Sequence, residues 1–290
     1  MVPMTTDLIA LTGVTGAIGG RVADLLGERG LPLRFITRDP TRCPPIEAEI
    51  SQASYDDTPA MTAALDGAST LFLVSGREHI DRLDHHRSAV EAAIAGGVGK
   101  IVYTSFISAS PVATFTLARQ HHATEGFIRD SGIPFVFLRD NLYTDFVPYF
   151  AGSDGVIRGP AGDGRVGFVT RDDIAESAAT ALTTSEHDNT TFDVTGPEAV
   201  DLHETADRFG RFIGKTITYH PETVEEAYAS RDSYGAPEWE VEGWVTSYQA
   251  IANGEMDVIS DAVEVLTGHR AQSLEDFLRA HPESYAQHLA

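Results

Sequence analysis

The sequence predicts an α/β fold built on a doubly wound parallel sheet. Three observations point there: short apolar runs alternate with amphipathic helical stretches, a glycine-rich turn joins the first run to the first helix, and the rhythm breaks after Asp140. The first run, DLIALTG (7–13), ends in glycine and leads into RVADLLGERG, where Val22, Leu25 and Leu26 recur at helical spacing. LRFITR (33–38) is a second strand, and MTAALDG a short helix stopped by Gly67. STLFLVSG (69–76) is a third strand, IDRLDHHRSAVEAAIAGG a helix closed by Gly96 and Gly97, and KIVYTS (100–105) a fourth strand. TLARQHHATEGFIRDSG is a helix ending at Gly132, and IPFVFLR (133–139) a further buried strand. Strands that are apolar along their whole length suit a parallel sheet covered by helices on both faces.

Beyond Asp140, Gly152, Gly155, Gly159, Gly162, Gly164 and Gly167 mark a turn-rich stretch. RDDIAESAATALTT is a helix, TFDVTGP a late strand, LHETADRFGRFIG a helix and KTITYH a strand-like run; the tail from Pro221 is helical and aromatic. The expected division is a dinucleotide-binding domain over 1–150 and a smaller, mostly helical substrate-binding lobe over 151–290, interleaved with the last sheet strands.

Composition narrows the function classes. The 290 residues are 42% hydrophobic and 22% charged, within the globular range, and the formal net charge of −22 opposes nucleic acid and anionic membranes. The single cysteine, Cys43, allows no internal disulfide, which fits a reducing compartment. No apolar run approaches the roughly 20 residues of a membrane span, and MVPMTTDLIALTG lacks the pattern of a signal peptide, so a cytoplasmic protein is expected.

The motif with the most chemistry is T-G-V-T-G-A-I-G, with Gly13, Gly16 and Gly19 spaced G-x-x-G-x-x-G between strand and helix. In a Rossmann-type fold the first glycine makes the turn, the second lets backbone approach a pyrophosphate, and the third lets helix and strand pack closely. The second strand ends in Arg38, where an NAD-binding chain would carry an acid for the ribose; that favours the 2′-phosphate of NADP(H), with Asp39 one residue on as the counter-reading. Ser75, Gly76 and Thr104 end the third and fourth strands, where ligands of open parallel sheets bind, unless they only satisfy backbone groups. His121 and Glu125 share a helical face, as a hydrogen-bonding pair toward a ribose or substrate oxygen or as a plain surface pair. His85 and His86, near Asp81 and Asp84, suggest metal binding less than a solvated face, because adjacent helical residues diverge by about 100°. No metal is expected.

With GVTGAIGG, ITRDP, LVSG, YTS, HHATEGFIRDSGIPFVFLRDNLYTDF and TRDDIA in this order, the chain resembles the NmrA-like atypical short-chain dehydrogenases over nearly its full length. The most similar group is that of the triphenylmethane reductases and bacterial NADPH:quinone oxidoreductases. The resemblance implies that Gly13, Val14, Thr15, Gly16, Ala17 and Ile18 cradle the pyrophosphate, that Arg38 meets the 2′-phosphate, and that Arg139 to Tyr143, including Asn141 and Leu142, pass near the nicotinamide. It departs from relatives at Ala53, Ser54 and Tyr55, where Gly-Asp often precedes an aromatic, and it carries His121 where atypical relatives often have the lysine of Tyr-x-x-x-Lys.

Without that lysine to lower the pKa of a tyrosine, the proton donor of standard ketone reduction is missing. The expectation is therefore an NADPH-dependent reductase passing hydride, with no metal, to a flat conjugated acceptor: a quinone, an enone or a cationic dye. His121 and Tyr143 are the candidate catalytic residues. Phe146, Tyr149, Phe150, Trp239 and Trp244 are candidate pocket aromatics, each with core packing as its alternative. The partner is a small aromatic or quinonoid molecule, and a homodimer is compatible. Two other classes stay open: a dinucleotide-sensing regulator without turnover, and a redox-neutral isomerase or cyclase.

Overall fold

The computed structural model describes residues 7–289, so the first six residues of the stretch searched for a signal peptide lie outside the described residues. The chain begins β1 (Leu8–Thr12), α1 (Ala17–Glu28), β2 (Leu33–Thr37), β3 (Glu49–Gln52), α2 (Thr58–Leu65), β4 (Ala68–Leu73), α3 (Arg82–Ala95), β5 (Lys100–Phe106), α4 (Thr116–Ser131) and β6 (Phe135–Asp140). It continues α5 (Val147–Phe150), β7 (Val156–Gly159), β8 (Arg165–Val166), α6 (Arg171–Thr183), β9 (Thr190–Val194), β10 (Val200–Asp201), α7 (Leu202–Ile213) and β11 (Thr218–Pro221). Four helices close it: α8 (Val224–Arg231), α9 (Glu238–Ala252), α10 (Ala262–Thr267) and α11 (Leu274–Ala280).

Seven strands form the central sheet in the order β3-β2-β1-β4-β5-β6-β9. The pairs β1 with β2, β1 with β4, β2 with β3 and β4 with β5 are all parallel. The chain runs outward from β1 to β3 and then returns to place β4 on the other side of β1. That reversal opens a crevice at the carboxyl ends of β1 and β4, where this class of sheet binds ligands. Strand β5 is buried at every residue, whereas β3 is mostly exposed and caps the edge.

The chain forms two compact units, each gathered from several stretches of sequence. The first holds residues 1–105, 120–138 and 174–192; the second holds 106–119, 139–173 and 193–290. In the first unit, Leu71, Leu73, Ile101, Tyr103 and Phe137 from the sheet pack with Met61, Leu65 and Val90 from α2 and α3. The second unit is built on Phe115, Val147, Ile157, Phe209, Ile251 and Phe277. Its turn-rich stretch contains β7, paired parallel with β11, and β8, paired antiparallel with β10. The KTITYH run therefore does form a strand, but in a two-stranded ladder outside the central sheet. Helix α2 starts earlier than its apolar residues suggest, because Asp57 accepts the Ala60 N–H at 3.0 Å and Pro59 occupies the first turn.

Candidate functional site

The first unit has a cleft of about 770 Å³ at the carboxyl ends of β1, β2 and β4. Gly13, Thr15, Arg38, Tyr55, Ser75 and Gly76 are among its walls. Gly13 has φ +66°, and a Cβ there would stand 2.8 Å from Cβ of Val74. A Cβ on Gly19 would lie 2.3 Å from the Gly13 carbonyl oxygen, so only glycine lets α1 approach β1 this closely. Gly16 caps α1 without a side-chain hydrogen bond, and the first turn carries no acid. Its free N–H groups and the helix dipole therefore face an incoming anion uncompensated. Val14 and Ile18 are buried in the core, so at those positions the backbone, and not the side chain, is what this turn offers.

At the end of β2, Arg38 is exposed, lines the cleft, and has no side-chain hydrogen bond or ion pair among the described residues. Asp39 is already used. Its Oδ1 accepts the Thr41 hydroxyl at 2.6 Å and the Thr41 N–H at 3.1 Å, and these bonds hold its carboxyl below the usual range. The carboxylate caps a short turn, whereas the Arg38 guanidinium keeps its charge unpaired among the described residues. Tyr55, the aromatic that follows Ala53 and Ser54, lines the cleft. Its hydroxyl donates in a shared bond to Thr12 Oγ1 at 2.6 Å and the Val74 carbonyl at 2.7 Å, and burial pushes the phenol up.

Behind the cleft lies a buried polar network that sequence reasoning did not anticipate. Arg82, on the first turn of α3, donates to the Gly76 carbonyl at 2.6 Å, to Gln120 Oε1 at 3.1 Å and to His121 Nε2 at 3.0 Å. Arginine can only donate, so His121 Nε2 is an acceptor and the ring proton sits on Nδ1, 2.9 Å from the Tyr103 hydroxyl. By the same logic the Gly76 N–H donates to His86 Nε2 at 2.8 Å, and His86 Nδ1 donates to Thr124 Oγ1 at 2.9 Å. Both imidazoles are held well below their ordinary value, first by burial and then by the Arg82 charge. Neutral imidazoles are what these bonds require.

The network bears on several expectations. His121 and Glu125 are both buried and do not form a surface pair. Glu125 accepts from Ser105 at 2.6 Å and from Arg129 at 2.9 Å. His86 is fully buried and does not belong to a solvated face. Thr104 is buried and accepts the Ser75 N–H at 2.7 Å, tying the ends of β4 and β5 together. Gly76 lines the cleft while both of its backbone groups are held from behind. A signal was available: Arg82, His86, Ala89, Val90 and Ala93 form one helical stripe, as do His121, Thr124, Glu125 and Ile128. Polar side chains fill core positions in both.

The second unit holds the remaining candidates. Asn141 is fully buried; its Nδ2 donates to the Met256 carbonyl at 3.0 Å and its Oδ1 accepts the Leu142 N–H at 2.8 Å. It fixes the chain after β6 by these bonds. Leu142 packs on the core of this unit. The Tyr143 hydroxyl donates to Asp140 Oδ2 at 2.5 Å, and its ring lies 5.6 Å from that of Phe146. The Arg171 guanidinium sits over both rings, 4.8 Å from Tyr143 and 4.5 Å from Phe146. Tyr149 and Phe146 are exposed, whereas Phe150 packs against Phe168 and Tyr248. Trp239 and Trp244 are half-buried, and Trp244 meets Tyr234 edge-on.

A parallel sheet with a glycine-cradled helix N-terminus and a free cation at the second strand defines a dinucleotide-binding protein. The sequence of residues 13–185 matches the NAD(P)H-binding family. The chain is 31% identical to quinone oxidoreductase 2 of Escherichia coli over 92% of its own length and 96% of that protein's. It is also 31% identical to (4-alkanoyl-5-oxo-2,5-dihydrofuran-3-yl)methyl phosphate reductase of Streptomyces griseus, over 96% and 99%. Among solved structures, the NADPH-dependent quinone oxidoreductase of Escherichia coli complexed with NADPH superimposes with a TM-score of 0.86 at 30% identity, covering 94% of this chain and 99% of that one. Triphenylmethane reductase of Citrobacter sp. complexed with NADP(H) gives 0.84 at 31%, with the same coverage. The chain belongs to the NAD(P)H-binding family, and it is an NAD(P)H-dependent oxidoreductase related to quinone and dye reductases.

Proposed function

We propose that the chain is an NADPH-dependent reductase whose acceptor is a flat conjugated molecule: a quinone, an enone or a cationic dye. The observation that carries the cofactor half is the free Arg38 guanidinium on the cleft wall beside an Asp39 carboxylate already consumed by Thr41. The residues present fit the dinucleotide: the Gly13 to Gly19 turn offers unpaired N–H groups to a pyrophosphate, and Arg38 offers a charge to a 2′-phosphate. When bound, NADPH supplies the hydride.

For the acceptor, two features support the reading. No Tyr-x-x-x-Lys exists in the sequence, and both nitrogens of His121 are engaged inside the first unit. Neither arrangement delivers a proton to a ketone, so an acceptor that already delocalises charge is favoured. The names of the relatives agree: a quinone oxidoreductase, a furanone phosphate reductase and a triphenylmethane reductase. His121 acts in this reading by positioning, since Arg82 couples it to the Gly76 carbonyl on the cleft wall. In the second unit, Asn141 and Leu142 set the course of the chain, and the Tyr143 and Phe146 rings, tilted by 36° with Arg171 over both, offer aromatic and cationic contact to a conjugated acceptor.

The test is cofactor oxidation by purified protein with a panel of naphthoquinones, cyclic enones and triphenylmethane dyes. Turnover with at least one of them, faster with NADPH than with NADH, is expected. Tight dinucleotide binding with no turnover across the panel would instead identify a sensor.

A further inference from the structure

We propose that His79, Asp81 and His85 form a binding site for one divalent transition-metal ion of the zinc class at the rim of the cleft. One donor atom from each of the three lies within 4.8 Å of the other two. Two donors on a tetrahedral ion with bonds of about 2.1 Å stand ~3.4 Å apart. His79 Nδ1 and Asp81 Oδ2 are 3.7 Å apart, near that spacing before any ion arrives. His79 Nδ1 accepts the Asp81 N–H at 3.1 Å, which fixes that nitrogen as unprotonated; an ion bound there replaces this hydrogen bond.

His85 supplies the third donor. It stands one helical turn after Asp81, on the same side of the start of α3, and its ring stacks on His79 at 5.3 Å and 21°. The His85 ring nitrogens have no hydrogen-bond partner among the described residues, so nothing must be broken to turn one inward. Arg82, the cation next to Asp81 in sequence, is turned away toward Gly76, Gln120 and His121 and leaves the carboxylate to the site. Two imidazoles and one carboxylate suit Zn²⁺, Ni²⁺ or Cu²⁺, not Mg²⁺ or Ca²⁺, which prefer oxygen throughout. Three protein donors leave a fourth position for water. The formal charge of −22 raises the local concentration of cations.

The pairing of His85 with His79, across the turn before α3, escapes a sequence search that weighs His85 against its neighbour His86, which faces the core. The inference does not depend on the reductase reading, because its test measures binding alone. The full chain, without a histidine tag, is stripped with chelator and titrated with Zn²⁺ against a chromophoric chelator, and with Co²⁺ while the visible d–d absorption of a tetrahedral ion is followed. One ion per chain is expected. His79→Ala, His85→Ala and Asp81→Asn should each weaken it by at least about 10- to 100-fold, the range over which even outer partners of metal ligands act. His187→Ala, a histidine outside the cluster, should leave it unchanged. These three side chains are at least partly exposed, so circular dichroism should show folded variants. Binding of equal affinity and stoichiometry in the His79→Ala/His85→Ala double variant would overturn the site, as would the absence of a one-ion phase in the unmodified chain.

Discussion

Replacing Arg38 by alanine removes the unpaired guanidinium at the end of β2 that would meet a 2′-phosphate, while Asp39 beside it stays bonded to Thr41. A hydrogen bond to a charged group contributes about 1.5 to 3 kcal/mol, which is about 10- to 100-fold in Kd. Arg38 is exposed, and solvent and salt screening pull the value toward the lower end. Arg38→Ala should therefore weaken NADPH binding by about tenfold in moderate salt and by more in dilute buffer, where screening is weak. NADH lacks the phosphate and should bind the variant as it binds the unmodified chain. Titration by calorimetry at two ionic strengths measures both cofactors. Equal affinity of the unmodified chain for NADPH and NADH would refute the reasoning, and so would an equal loss of both in Arg38→Ala, which would make the arginine a structural prop.

The βαβ frame was legible because its signals are local. Apolar runs ending in glycine and followed by helical spacing give β1, α1, β2, β4 and β5 within a few residues. The glycine turn was legible for the same reason, since each glycine answers a contact within ten residues of itself or with the adjacent strand. Strand β3 was not, because Glu49, Ile50 and Gln52 are exposed on an edge and show no buried face. The ladders β7 with β11 and β8 with β10 are two to four residues long, too short for a period. The extent of the interleaving is not readable locally, because compact units are set by long-range contacts: most of α4 and of α6 belongs to the first unit. At the candidate site, Arg38 and the turn were visible as motifs. The network of Arg82, His86 and His121 was hidden because burial, which decides whether a histidine is a surface base or a neutral core residue, depends on what α3 and α4 pack against.

If the ring acts as proposed, by positioning Arg82, His121→Ala should lower turnover with a quinone and with a cationic dye by the same factor; steady-state rates with both substrates check it, and unequal losses would assign the ring a proton-transfer role. Gly19→Ala forces a Cβ to 2.3 Å from a backbone oxygen, so it should cost about 1 to 3 kcal/mol of stability and displace the α1 terminus from the dinucleotide, both readable by urea unfolding and cofactor titration. The last prediction concerns pH. Buried, neutral His86 and His121 have values held well below 6.5, so the folded chain binds fewer protons there than the unfolded one. Stability is then fully present above the unfolded value near 6.5 and falls as the pH drops through it toward the depressed folded values. Burial opposes charge on His281, but its bonds to Asp172 and Glu283 raise its value, so its contribution has the opposite sign and is lost as the pH rises above 6.5. Below about pH 6 His281 is protonated folded or unfolded, and the two core histidines act alone, with a limiting slope of about 2.7 kcal/mol per pH unit for two protons. The lowered carboxyls, Asp39, Asp154 and Asp276 among them, add to the loss only in the range where carboxylates titrate. Urea unfolding at pH 7.5, 6.5 and 5.5 should show a steepening loss, and His121→Gln, which keeps a neutral hydrogen-bonding group, should cut the slope to about 1.4 kcal/mol per unit. Stability that stays flat from pH 7.5 to 5.5 would mean that these imidazoles carry a second proton in the folded chain, and the donor directions deduced from Arg82 and Gly76 would be wrong.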